Sequence, residues 1–156
     1  MLKIYKMQDD IVINFAAEEL KKYLRMMMPL EKAVKISCNP QATDGFRLGL
    51  LEDFGLPCET DNTLLDDIVH IDTDECGGIL AGSNPRSVLF AVYRYLKLNG
   101  CRFLFPGAEG EFIPRKAVEP QKYHSWQITA SAVTPLKAHP PWSSFWIIST
   151  GTPKKN

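Results

Sequence analysis

The stretch from Cys76 to Gly107, CGGILAGSNPRSVLFAVYRYLKLNGCRFLFPG, constrains the fold more than any other part of the chain. Each of its junctions is set by local chemistry. Gly77-Gly78 is a turn signal. Ile79-Leu80-Ala81 is a short apolar run between glycines, as suits a buried strand. Ser83-Asn84-Pro85 supplies a capping side chain and then a proline at the first helical position, where the missing N–H costs nothing. Val88, Leu89, Val92, Tyr95 and Leu96 recur at helical spacing, while Arg86, Arg94 and Lys97 fall on the wet side. Gly100 can take the left-handed conformation that ends a helix, so Asn99-Gly100 is the stop. Cys101 to Phe105 reads as a further strand closed by Pro106-Gly107.

The remainder supplies the partners for this unit. Leu2 to Lys6 alternates apolar and polar and reads as a strand. A helix is predicted from Asp9-Asp10 to about Met28, with Ile11, Phe15, Ala16, Leu20, Tyr23, Leu24 and Met27 as its buried stripe. Its acids stand at the positive end of the dipole and Arg25 at the negative end, and Pro29 terminates it. Strands follow at Val34 to Cys38 and Phe46 to Leu51. Leu51 to Thr63 reads as an irregular loop or a single helical turn. Asp67 to Asp72 and Gly78 to Ala81 form a hairpin, and Glu111 to Pro114 a last short strand. Up to the Cys101–Phe105 strand the order is β-α-β-β-β-β-α-β, with too few helices for a repeating βαβ fold. It implies an α+β class: a mixed β-sheet with two main helices packed on one face.

The ordered string Gly82–Arg86, Leu89–Leu96, Gly100–Leu104, Pro106 and Gly107 resembles a specific family motif. It is similar to the N-terminal accessory domain of alpha-glucuronidase-like and beta-N-acetylhexosaminidase-like glycoside hydrolases. There a G-S-(N/D)-P-R-x-x-L-(Y/F)-(A/G)-V-Y-R-(Y/F)-L helix leads into G-C-R-(F/W)-L-x-P-G. The resemblance implies a zincin-like sandwich, akin to the second domain of hexosaminidases, without a zinc site. It also places the catalytic residues on a downstream barrel of ~250 residues, which 156 residues cannot contain. The implied role is a non-catalytic accessory domain in carbohydrate degradation, partnered by that barrel.

Charge and composition limit other classes. Acidic and basic residues balance at 18 each, so there is no electrostatic case for nucleic acid or an anionic membrane. MLKIYKMQDD holds no apolar run of signal-peptide length and no later run is long enough to span a membrane, so a cytoplasmic location is expected. Cys38, Cys58, Cys76 and Cys101 show no C-x-x-C spacing, and Cys101 reads as a reduced core residue.

Candidate chemistry is sparse, and no catalytic, cofactor-binding or metal-ligating residue is assigned. Asp66, Asp67, His70, Asp72, Asp74, Glu75 and Cys76 are the one cluster of ligand types, with His70 and Asp72 on one strand face. A solvated strand running into a polar turn accounts for it, since calcium-loop spacing is missing. No H-E-x-x-H occurs, and His70, His124 and His139 are isolated along the chain. The Gly82-Ser83-Asn84-Pro85 helix start has free N–H groups for an anion, and Arg86 could hold a carboxylate; a capped structural helix explains the same residues. Glu109 and Glu111 read as polar turn residues rather than a glycosidase pair, which must flank a cleft.

The composition changes after Glu119. All 18 acids lie within residues 1–119, whereas the rest has four lysines, all three tryptophans (Trp126, Trp142, Trp146), His124, His139 and five prolines. The expected organisation is an accessory α+β domain at 1–117 and a linker with an atypical tail at 118–156. Two readings of the tail stand: a disordered segment, or a frameshift near Ser131. In a shifted frame, Val133-Thr134 permits Arg-Tyr, Lys137-Ala138-His139 permits Glu-Gly-Ala, Trp146-Ile147 forces Asp, and Thr150-Gly151 permits Trp. That string is similar to the way the family enters its barrel. The expected outcomes for function are therefore a glycoside hydrolase accessory domain that packs on a barrel, or a stand-alone carbohydrate- or protein-binding module that associates through an exposed docking face. The frameshift reading predicts that genomic DNA from codon 115 onward opens into a long barrel-coding stretch in another frame. Three frames closing within a few codons would rule it out.

Overall fold

The computed structural model describes residues 2–30 and 34–124. The elements run β1 (Leu2–Lys6), α1 (Ile11–Met27), β2 (Val34–Cys38) and β3 (Phe46–Leu50), then a 3-10 turn at Leu51–Phe54. They continue as β4 (Val69–Thr73), β5 (Gly78–Gly82), α2 (Pro85–Leu98) and β6 (Arg102–Phe103). After a 3-10 turn at Ala108–Gly110 come β7 (Glu111–Phe112) and β8 (Gln121–His124). Six strands form one mixed sheet in the order β2-β1-β3-β5-β4-β8. The first four are parallel, and β4 is antiparallel to both β5 and β8. The α+β class and the placement of both helices on one face agree with expectation.

Strand alternation sorts residues into two layers. Ile4, Phe46, Leu48, Leu80, Val69 and Ile71 face the helices and join the main core with Leu20, Leu24, Val88, Val92 and Tyr95. Burying each such side chain contributes roughly 1.5–3 kcal/mol. On the opposite face a smaller core of Leu51, Ile68 and Ala81, with Phe54, Leu56 and Ile79, covers part of the sheet. The 3-10 turn and the loop before β4 thus pack against this face of the sheet.

Each helix begins as the sequence predicts. Asp10 caps α1 by accepting from the Val12 and Ile13 amides, which is worth about 1 kcal/mol. Asn84 caps α2 through the Ser87 amide, with Pro85 at the first position. The stripe of α1 needs correcting, because Ile11 is 82% and Phe15 52% exposed. At 100° per residue, Ile11 falls about 180° and Phe15 about 140° around the helix from Leu20. Ile13 and Ala17 lie on the buried side and take their places.

Two further differences concern the end of the unit. The strand expected at Cys101 to Phe105 shrinks to Arg102–Phe103 and pairs with β7 in a separate two-stranded ribbon. Phe103 is drawn there by Tyr23 and Tyr93, whose rings it meets edge-on at 5.3 and 5.4 Å. Packing also continues past residue 117, where a linker was expected: Val118 is 5% exposed and β8 forms a sheet edge. Buried Asn99 explains this, since its side chain donates to the Tyr95 carbonyl and accepts from the Glu119 amide. Thr73 then exchanges hydrogen bonds with the Gln121 backbone, and Arg94 lies over the Tyr123 ring at 4.4 Å. Residues 125–156, with Trp126, His139, Trp142 and Trp146, lie outside the described residues.

Gly82 sits where β5 meets the first turn of α2. A Cβ there would stand 2.5 Å from both Ser87 Cβ and the Val88 nitrogen. Gly82→Ala is therefore expected to cost about 1–3 kcal/mol in urea unfolding, because α2 must back away from the sheet. A loss below about 0.5 kcal/mol would show that the junction is looser than this packing requires.

Candidate functional site

Three polar clusters stand out among the described residues. The first is at the start of α2. Asp67, just before β4, receives Ser87 Oγ at 2.7 Å and Asn84 Nδ2 at 3.0 Å. It also receives Arg86, with Nη2 at 2.9 Å and Nε at 3.2 Å from the carboxylate. Ser83 Oγ donates to the Asp66 carbonyl and accepts from the Ile68 amide. The helix start does hold a carboxylate, through the side chains of Asn84, Arg86 and Ser87 rather than through backbone N–H groups. That carboxylate is the chain's own Asp67, so the cluster locks the loop before β4 onto α2.

The second cluster joins the β6–β7 ribbon to the helices. Tyr23 donates to Glu111 at 2.8 Å and Tyr93 to Glu19 at 2.6 Å, with Lys22 Nζ 3.1 Å from the Tyr23 hydroxyl. Burial raises both phenols above their ordinary value, and the accepted carboxylate bonds add to the rise. These groups are donors held protonated, not bases. Glu111 is committed to Tyr23 and Lys22, whereas Glu109 is exposed on the 3-10 turn. The two do not act as an acid/base pair across a cleft. A shallow depression on the outer side of α1, lined by Glu18, Lys21, Lys22 and Arg25, is a charged helix surface.

The third cluster was missed by sequence reasoning. His70 and His124, expected to be isolated, stand directly opposite on antiparallel β4 and β8, with Nδ1 atoms 3.3 Å apart. They project from the face away from the helices, as their neighbours Val69 and Ile71 enter the main core. The rings are 5.5 Å apart at 67°. Asp72 shares the face and pairs with Lys122 at 3.6 Å, an exposed contact worth little. Burial, then the nearby His124, lowers the His70 pKa from its ordinary value, outweighing Asp72. The only sequence signal for this pairing was the period-two pattern Gln121-Lys122-Tyr123-His124, which carries no aliphatic residue to mark a strand.

The side chains of ligand type from Asp66 to Cys76 are dispersed. Asp66 accepts from Thr60, Asp67 serves α2, and Asp74 accepts from the Cys76 and Gly77 amides in the turn. No group of three or more His, Cys, Asp or Glu side chains is placed for a metal among the described residues. Cys38, Cys58 and Cys76 are exposed free thiols, and Cys101 is a buried one with Sγ 3.7 Å from Met27 Sδ. Among the described residues, no helix is long and apolar enough to cross a membrane.

Comparison with protein-family models and with curated proteins finds no match to this chain.

The buried phenols give a pH dependence of known sign. Tyr23, Tyr93 and Tyr95 are all raised, chiefly by burial, whereas unfolded tyrosine ionises near pH 10. Their contribution is complete below about pH 10 and is lost above it, as the unfolded chain releases protons that the folded chain keeps. Stability to urea should therefore fall steadily from about pH 10 upward, with phenolate absorbance rising together with loss of helical circular dichroism. Full tyrosine ionisation in a chain that keeps its helical signal would contradict this.

Proposed function

We propose that this chain is the N-terminal accessory domain of a glycoside hydrolase of the alpha-glucuronidase type, a non-catalytic unit that packs against a downstream catalytic barrel. The observation that carries the reading is the ordered motif from Gly82 to Gly107. Its residues are spent on architecture: Asn84 on capping, Arg86 on Asp67, Tyr93 on Glu19, and Tyr95 and Cys101 on the core. A domain whose role is to be rigid and to dock uses its side chains in this way.

The ribbon supplies a surface suited to such docking. Phe103 and Glu111 face inward towards Tyr23, so Arg102, Leu104 and Phe112 fall on its outer side. Leu104 is 69% and Phe112 59% exposed, and Phe105 lies beside them. A barrel covering this side would remove that apolar area from water. The same ribbon also favours a second reading, a stand-alone module that associates with another copy of itself.

Two measurements on the purified full chain test the proposal. It should release no product from aryl glucuronides or glucuronide-bearing xylo-oligosaccharides. It should bind an alpha-glucuronidase barrel prepared without its own N-terminal domain, and Leu104→Ser with Phe112→Ser should weaken that binding at least tenfold. Turnover by the chain alone, or failure to bind the barrel, would overturn the reading. A dimer dispersed by the same substitutions, with no barrel binding, would transfer the surface to self-association.

A further inference from the structure

We propose that His70 and His124 form a two-histidine site for a divalent transition-metal ion of the zinc type, on the sheet face turned away from the helices. The site is new chemistry for this chain and does not depend on the accessory-domain reading.

His70 and His124 are direct partners in the β4–β8 ladder, so their side chains leave the sheet on the same side. Ordered strands on both sides hold the two rings, and the supporting contacts lie close by. Thr73 bonds the Gln121 backbone at the start of β8, and Arg94 stacks on Tyr123 from the helix side. A pair carried on strands in this way is set before any ligand arrives.

The spacing is the second observation. The Nδ1 atoms are 3.3 Å apart. Two nitrogens bound at 2.0–2.1 Å to one tetrahedral ion stand about 3.3–3.4 Å apart, so the observed separation matches the one an ion requires, and ring rotation turns both nitrogens towards it. Imidazole nitrogen suits zinc, copper and nickel, while calcium and magnesium require oxygen ligands. Water or an external donor completes the coordination, so binding is reversible and weaker than at a four-ligand structural site.

The consequence follows from topology. β8 is an edge strand whose sheet partner is β4. An ion held by both histidines cross-links these strands and fastens the segment leading to residue 125 against the domain. In the absence of the ion, the same two nitrogens lie within hydrogen-bond distance of each other.

The test uses the full chain with Cys38, Cys58 and Cys76 changed to Ser, because exposed thiols bind zinc themselves. Zinc chloride alone is titrated by calorimetry at pH 7.5, and histidine ring nitrogens are followed by NMR. One zinc ion per chain is expected, with the Nδ1 resonances of His70 and His124 moving together. His70→Gln and His124→Gln should each weaken binding at least tenfold, while His139→Gln leaves it unchanged. Zinc should raise the melting temperature of the parent chain and not of the His124→Gln variant. The NMR readout needs no histidine substitution, so it stands even if a variant fails to fold. No zinc binding up to 1 mM metal (roughly the weak end of metal affinities), or zinc binding that moves neither histidine, would overturn the proposal.

Discussion

The close seating of the first turn of α2 on β5 is the constraint from which much of the remaining geometry follows. Gly82 lets the strand and helix approach to a distance that no Cβ would permit. Asp67 then uses that proximity, taking Asn84, Arg86 and Ser87 at once. A carboxylate held by several donors, one of them charged, is stronger than the sum of separate surface contacts. It fixes the loop immediately before β4, and so where β4 begins and which of its side chains turn outward. His70 faces away from the helices because Val69 and Ile71 are committed to the core.

The far end of α2 imposes the complementary constraint. Gly100 takes a φ of +96°, ending the helix in a conformation that costs other residues strain. Buried Asn99 beside it bonds the Glu119 amide and returns the chain to the sheet. The intervening excursion forms the β6–β7 ribbon, clasped through Phe103 and the tyrosine–carboxylate pairs. That clasp buries the inner ribbon side and leaves Leu104 and Phe112 outward. One helix therefore positions both surfaces to which a function is proposed: the ribbon at its C-terminal side and the histidine pair on the sheet.

Where the fold was legible, local rules were sufficient. The caps at Asp10 and Asn84, the proline at position 85 and the stop at Gly100 depend on groups within a few residues, and all stand as read. The phase of α1 was also present in the sequence, since helical geometry alone sends Ile11 to the side opposite Leu20. The brevity of β6 was not legible, because Phe103 answers to Tyr23, eighty residues earlier (103 against 23). Nor was β8: its four residues lack an aliphatic alternation, and it is held by Thr73, Asn99 and Arg94 from elsewhere in the chain.

By itself, the sequence determined the order of elements from β1 to β6, the α+β class, the helix boundaries and the motif that resembles an accessory domain. These rest on periodicity and capping, which act over one or two turns. Tertiary structure alone decided which acid occupies the start of α2, which side of the ribbon stays exposed, and that His70 meets His124. Those outcomes join residues separated by 19, 88 and 54 positions. Such separations carry no local signal, because the pairing follows from strand order and from which face the core has already claimed.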